Sequence, residues 1–328
     1  MKRQLRIALL TLPMSLCALA QAPAFRAPDS GFVFDAQSAR ILPIRGFTGA
    51  ALLGDPLDAP LAARTLEFAP GQAYAIATDN ENRVFLMTLD DGNAVQQIST
   101  ALAGASDVKV RFNTSGSAAV LYSAAARRFQ VLTGLPAKPA LADAVELPEL
   151  AGEITAMAVD ADGSRVLVGV TGEAQGAVYL SSASAPQLKF LTEARSPSDL
   201  AFATGGNDAV IADRDANVIL AVRDLDEKCM VVPLLGEADG VKAPVAIRIL
   251  DNSKVIVANS ASTELMLVES AFDAAPSLRR LELARPATRL DRLAISGSFL
   301  LTSIDAGPLL VLDMAKEAAV YFIPSPQF

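Results

Sequence analysis

Along this chain, short apolar runs alternate with clusters of Asp, Asn and Gly. In Ala209–Leu225, AVIADRDANVILAVRDL, the β-forming residues Val210, Ile211, Val218, Leu220 and Val222 flank the polar cluster Asp213–Asn217. That order predicts strand, turn, strand. The same order recurs in AYAIATDNENRVFLMTL at Ala73–Leu89, in KVIVANSASTELMLVES at Lys254–Ser270 and in FLLTSIDAGPLLVLDM at Phe299–Met314. A hairpin repeated in this way predicts a repeat fold.

The spacing says which one. A hydrophobic alternation ending just before a Gly/Asn/Asp turn closes at Phe68, Phe112, Val159, Phe202, Ile249 and Ile295, at intervals of 44, 47, 43, 47 and 46 residues. Each following turn offers Gly, Asn or Asp for positive φ, as in Asp160-Ala-Asp-Gly163 and Asn113-Thr-Ser-Gly116. A period in the forties with four strands per repeat is the signature of a β-propeller blade. One repeat reads as strand A over Ile154–Val159, B over Arg165–Val170, C over Ala177–Leu180 and D over Leu188–Leu191. Strand B is almost continuously apolar, as a strand covered on both faces should be.

At the N-terminal end, Gly31–Asp35 and Ile41–Arg45 read as strands C and D of a partial repeat over about 31–46. A Gly/Ala/Pro-rich connection, Gly46–Ala63, follows it, and full repeats run from about 64 to 324. The expected fold is therefore all-β, a propeller of four-stranded blades. Six full repeats and a partial one favour seven blades, with six as the alternative. Residues 21–328 are read as a single propeller domain.

Residues 1–20 read as an export signal. Lys2, Arg3 and Arg6 precede the apolar run Ile7–Leu16, and Ala18-Leu19-Ala20 offers a cleavage site before Gln21. The run is too short to span a membrane, and the expected location is the periplasm or the extracellular space. Loss of three cations leaves 25 basic against 36 acidic residues, a net charge of −11. That balance argues against nucleic acid as a partner. A protein or a small polar ligand is the expected partner, and a monomer is the expected state. Of the two cysteines, Cys17 belongs to the signal, so Cys229 has no internal partner. It reads as a half-buried small hydrophobe at a strand start.

VIADRDANVILAVRDL at Val210–Leu225 is similar to the repeat of YVTN-type bacterial β-propellers, an apolar strand, an Asn/Asp-rich turn and then an apolar strand ending in Asp, and VIVANSASTELMLVES at Val255–Ser270 resembles the same pattern. The resemblance implies an exported propeller. It carries no catalytic residues, because the motif is structural.

The absences matter more for chemistry. The chain has no His and no Trp. A serine or cysteine nucleophile therefore lacks its usual base, and His-based lactonase chemistry is disfavoured. Neither a catalytic residue, a metal ligand nor a cofactor is assigned. Asp160–Gly163 reads as a turn rather than a calcium loop, since no Glu follows at the spacing an EF-hand needs. Asn113-Thr-Ser115 matches a glycosylation sequon but reads as a turn as well.

The B–C and D–A loops of a propeller share one rim, where function tends to concentrate. The candidate ligand-binding residues there are Arg83, Arg128, Glu173, Arg195, Asp213, Arg214, Asp239 and Asp305. As a bland alternative, these are ordinary solvated turn residues. The leading functional expectation is a non-enzymatic binding or scaffold module. A metal-dependent lactonase or hydrolase, with carboxylates at the channel mouth, is the alternative.

Overall fold

The computed structural model describes residues 28–89, 94–149, 152–173, 175–251 and 253–324. The proposed signal and its cleavage site lie outside them. The described chain forms seven antiparallel sheets. Blade 1 holds β1 (Asp29–Asp35), β2 (Arg40–Arg45) and β3 (Leu52–Leu53), and blade 2 holds β4 (Thr65–Phe68), β5 (Tyr74–Thr78), β6 (Val84–Thr88) and β7 (Val95–Ile98). Blade 3 holds β8 (Lys109–Phe112), β9 (Ala118–Ser123), β10 (Arg128–Thr133) and a broken outer strand, β11 (Ala140–Leu141) and β12 (Val145–Glu146). Blade 4 holds β13 (Glu153–Val159), β14 (Arg165–Thr171), β15 (Ala177–Ser182) and β16 (Ala185–Glu193). Blade 5 holds β17 (Pro197–Phe202), β18 (Ala209–Asp213), β19 (Val218–Arg223) and β20 (Met230–Leu235). Blade 6 holds β21 (Pro244–Ile249), β22 (Val255–Asn259), β23 (Glu264–Glu269) and β24 (Ser277–Glu282). Blade 7 holds β25 (Asp291–Arg292), β26 (Ser298–Leu300), β27 (Leu309–Asp313) and β28 (Ala319–Ile323).

The core shows that these sheets close into a ring. It consists of seven apolar clusters, each shared by two neighbouring blades, including one between blades 7 and 1. Strand B explains its continuous apolar run. In β18, Val210 and Ala212 pack on blade 6 while Ala209 and Ile211 pack on blade 4. Alternate side chains leave opposite faces of a strand, and here both faces are interior. The fold is thus a seven-bladed β-propeller.

Five of the six expected strand A endings, Phe68, Phe112, Val159, Phe202 and Ile249, are the last residues of their strands. The sixth differs. Strand A of blade 7 is only Asp291–Arg292, and Ile295 sits in the turn beyond it. Ser296 and Gly297 make that turn, closed by the Ser298 N–H on the Ile295 carbonyl at 3.1 Å, and the Ile295 N–H donates to the Ser30 carbonyl of blade 1 at 3.3 Å.

Blade 1 carries a second correction. Its two long strands are not C and D. The pair is followed by β3 on the outer side of β2, so β1 and β2 occupy the B and C positions. Among the described residues no strand A lies inside β1. Gln72, on the A–B turn of blade 2, takes part of that role. Its Oε1 accepts from the Phe32 N–H at 2.7 Å and its Nε2 donates to the Phe32 carbonyl at 3.1 Å. One side-chain amide thereby presents the same donor and acceptor pair that a neighbouring strand would offer. Buried backbone groups need such partners, and this one joins blade 2 to blade 1.

The A–B turns also tie blades together. Asn113 Nδ2 donates to the Asp160 and Ala161 carbonyls of the next blade. Its amide is buried and engaged, which leaves the sequon in a turn. Asp160 accepts from the Arg165 backbone and from the Arg165 and Ser164 side chains, and Gly163 turns the chain at φ 82°. These bonds satisfy the carboxylate within the turn.

Candidate functional site

The A strands line a central channel, and register decides which residues face each other there. Glu67, Arg111, Ala158, Ala201, Arg248 and Asp291 hold equivalent positions, one per blade from blade 2 to blade 7, each paired with the corresponding strand B residue. All six line a space of about 710 Å³, open solvent included. Blades 2, 3, 6 and 7 contribute charges, whereas blades 4 and 5 contribute alanines. Asp199 and Arg289 add two more charged groups at the channel mouth.

The mouth holds three guanidinium groups, Arg111, Arg248 and Arg289, and three carboxylates, Glu67, Asp199 and Asp291. They are not equally engaged. Asp199 is buried, and it accepts from the Leu200 and Ile247 N–H groups and from Arg248 Nη1 at 2.8 Å. Arg248 also reaches Asp291 at 3.5 Å, and Arg289 Nε donates to Asp291. Glu67 and Arg111 approach each other only to 3.6 Å. Neither side chain makes a hydrogen bond among the described residues, and they keep 30% and 42% of their side-chain surface exposed.

Titration reflects this difference. Confinement in the channel raises the Glu67 pKa above its ordinary value, with the negative charge of Asp291 adding to the effect and Arg111 opposing it. At Asp291 burial also works upward, yet Arg289, Arg248 and Arg111 outweigh it and the pKa falls. Arg289 is held more firmly protonated, because Asp291 and Glu67 overcome its desolvation. Among the described residues, no three His, Cys, Asp or Glu side chains converge as a metal site would require. The carboxylates at the mouth are separated by arginines.

The rim residues expected from sequence lie elsewhere. None of the eight lines the channel. Asp213 is buried at the end of β18, where it accepts from the Arg195, Ser196 and Ala216 N–H groups at 2.6, 3.0 and 3.2 Å. It staples the D–A loop to the B–C turn. Arg83 pairs with Asp79 at 2.6 Å and with Glu81 at 3.1 Å. Arg128 pairs with Glu146 at 2.6 Å, and Asp239 accepts from the Gly236 N–H at 2.9 Å. The side chains of Glu173, Arg195, Arg214 and Asp305 are exposed on their loops. The structure therefore brings Arg195 and Asp213 together through a backbone bond, and leaves the others apart.

Sequence reasoning missed Glu67, Arg111, Arg248, Arg289 and Asp291. A signal existed. In TLEF, KVRF and PVAIRI the residue before the final apolar one is charged, which is unusual for a strand expected at the centre of a fold. Cys229 also differs from expectation. It is exposed, just before β20. Local desolvation raises its pKa despite Lys189 nearby, so the thiol is a poor nucleophile.

Comparison with known proteins bears on the fold. No family model matches the chain, and no curated protein matches it. A candidate 6-phosphogluconolactonase from Bacteroides fragilis superposes with a TM-score of 0.60 at 12% identity, covering 91% of this chain and 95% of that one. The hydrazine synthase of Kuenenia stuttgartiensis gives 0.58 at 7% identity, over 91% and 99%. A protein of unknown function from Desulfotomaculum acetoxidans gives 0.57 at 13% identity, over 76% and 77%. The likeness is one of fold. At such identities, architecture is shared while sites are free to differ.

Proposed function

We propose that this chain is an exported, non-enzymatic propeller that binds a small polar ligand at the mouth of its central channel. The carrying observation is the pair Glu67 and Arg111, two charged groups facing an open cavity without a hydrogen bond between them. The two groups form a loose ion pair and keep 30% and 42% of their side-chain surface exposed, so their hydrogen-bonding capacity stays open to a ligand. The leader-like residues 1–20 and the YVTN-like repeats support an exported role. A rigid ring with loops at its mouth suits recognition.

The lactonase alternative draws on the candidate 6-phosphogluconolactonase from Bacteroides fragilis and a second from Bacteroides uniformis, the latter at TM-score 0.60 and 12% identity. Against it stand the missing histidines and the arginines between the mouth carboxylates, which would repel a cation. The test is a ligand-observed NMR screen with acetate, inorganic phosphate, glucose and δ-gluconolactone against the wild type and Arg111→Ala. At least one probe should bind in an Arg111-dependent way, and the lactone should not be hydrolysed with or without added calcium. If every probe bound the variant as it binds the wild type, the channel mouth would lose its role. Turnover of the lactone would favour the enzyme.

A further inference from the structure

The mouth specifies more than polarity. Its three guanidinium groups and three carboxylates sum to zero charge. Asp199 and Arg248 are committed to each other and to the backbone, and Arg289 is held by Asp291. What remains is one guanidinium with five donors and one carboxylate with several lone pairs, side by side at 3.6 Å. A simple anion would satisfy Arg111 but meet Glu67 and Asp291. A simple cation would satisfy Glu67 but meet Arg111 and Arg289. A ligand carrying both charges close together satisfies both groups and leaves the site neutral. Next to Arg111 around the ring, Ala158 of blade 4 and Ala201 of blade 5 provide a small, apolar stretch of wall at the same level.

Resting on the ligand-binding reading above, we propose that the mouth binds a free α-amino acid, with its carboxylate on Arg111, its ammonium on Glu67 and an apolar side chain directed towards Ala158 and Ala201. Arg111 can engage a carboxylate through two parallel N–H bonds, which favours a planar anion over a point charge. Glu67 is the acceptor left open for an ammonium group. The raised Glu67 pKa agrees with this, because a bound ammonium would supply the compensation that Arg111 gives only in part.

The experiment is isothermal titration of the full chain with L-alanine and L-leucine, and separately with acetate and methylammonium as half-ligands. The amino acids should bind in the millimolar range or tighter, and each half-ligand about tenfold or more weaker. Glu67→Gln and Arg111→Gln should each weaken amino-acid binding about tenfold or more, while Arg279→Gln, on the outer strand β24 of blade 6, should not. Arg111→Lys serves if Arg111→Gln fails to fold, and should also weaken binding. Acetate binding as tightly as L-alanine, indifferent to Glu67→Gln but lost in Arg111→Gln, would overturn the amino-acid assignment and keep a polar-ligand mouth. Amino-acid binding undiminished in both variants would overturn it too, since the site would lie elsewhere. If no amino acid or half-ligand bound in a way that depended on the channel, the proposal would fall, and the NMR probes would decide whether the broader reading falls with it.

Discussion

Two carboxylates, each beside an arginine, behave in opposite ways. At the rim, Asp79 accepts from the Glu81 and Arg83 N–H groups and holds Arg83 at 2.6 Å. Desolvation pushes its pKa up, but the backbone and side-chain bonds of Arg83 win, and the value falls below the ordinary 3.8. In the channel, Glu67 has Arg111 at 3.6 Å and no hydrogen bond, and its pKa rises above the ordinary 4.5. Charge pairing alone does not decide the sign. At Asp79 hydrogen bonds to the ionised form prevail over desolvation, whereas at Glu67 desolvation prevails over the charge of Arg111. The rim charges are thus mostly structural, and the channel charges retain bonding capacity for something else.

That contrast presumes a ring that behaves as one unit, and the largest expected effect tests this. Phe202 is buried between blades 4 and 5. Phe202→Ala should cost about 3–5 kcal/mol, as for a buried aromatic. Because blades cannot cover their own faces, probes in distant blades should lose stability together on urea unfolding. A shift confined to the probe near Phe202 would mean independent modules, and rim and channel could no longer be compared within one framework.

Asp213→Ala sharpens the structural side. It would strip the Arg195, Ser196 and Ala216 N–H groups of their acceptor. We expect a loss of about 1–3 kcal/mol in unfolding free energy, with ligand binding at the channel kept. Intact stability would show that the rim bonds are weaker than their geometry implies.

A smaller effect lies in the pH dependence. Asp79 has a lowered folded pKa, so its contribution is present above 3.8 and is lost as pH falls through the folded value. Asp79→Asn should therefore destabilise at neutral pH and matter less in acid. For Glu67 the sign reverses. The folded form takes up its proton more readily, so ionised Glu67 costs stability as pH rises above 4.5. Glu67→Gln should gain on the wild type between acid and neutral pH in denaturant titrations at each pH. Parallel trends for the two variants would erase the distinction drawn between rim and channel.

The smallest expected effect is none. Cys229 is exposed, unpaired and shifted away from the thiolate. Cys229→Ser should leave the melting temperature and channel binding unchanged, as checked by calorimetry and titration. A loss of binding would place function on the outer strands, away from both regions.

What the sequence determined by itself was local. Strand and turn chemistry act over a few residues, so the blade period, the turn at Asp160–Gly163 and the apolar B strands were readable from pattern. So was the all-β class, because a 43–47-residue period with tight turns has few other solutions. Tertiary structure decided what depends on closure. Glu67, Arg111, Asp199, Arg248, Arg289 and Asp291 meet only because successive blades return to one axis, and no local rule brings residue 67 to face residue 291. The same holds for Gln72, whose amide completes blade 1 from the neighbouring blade. The rim residues stood out in sequence because turns favour Asp and exposed loops carry charge, yet the fold engages several of them in holding its loops. Whether a charged group is satisfied is a property of its three-dimensional neighbours, and that is why the open pair at the channel mouth could not be read from the chain.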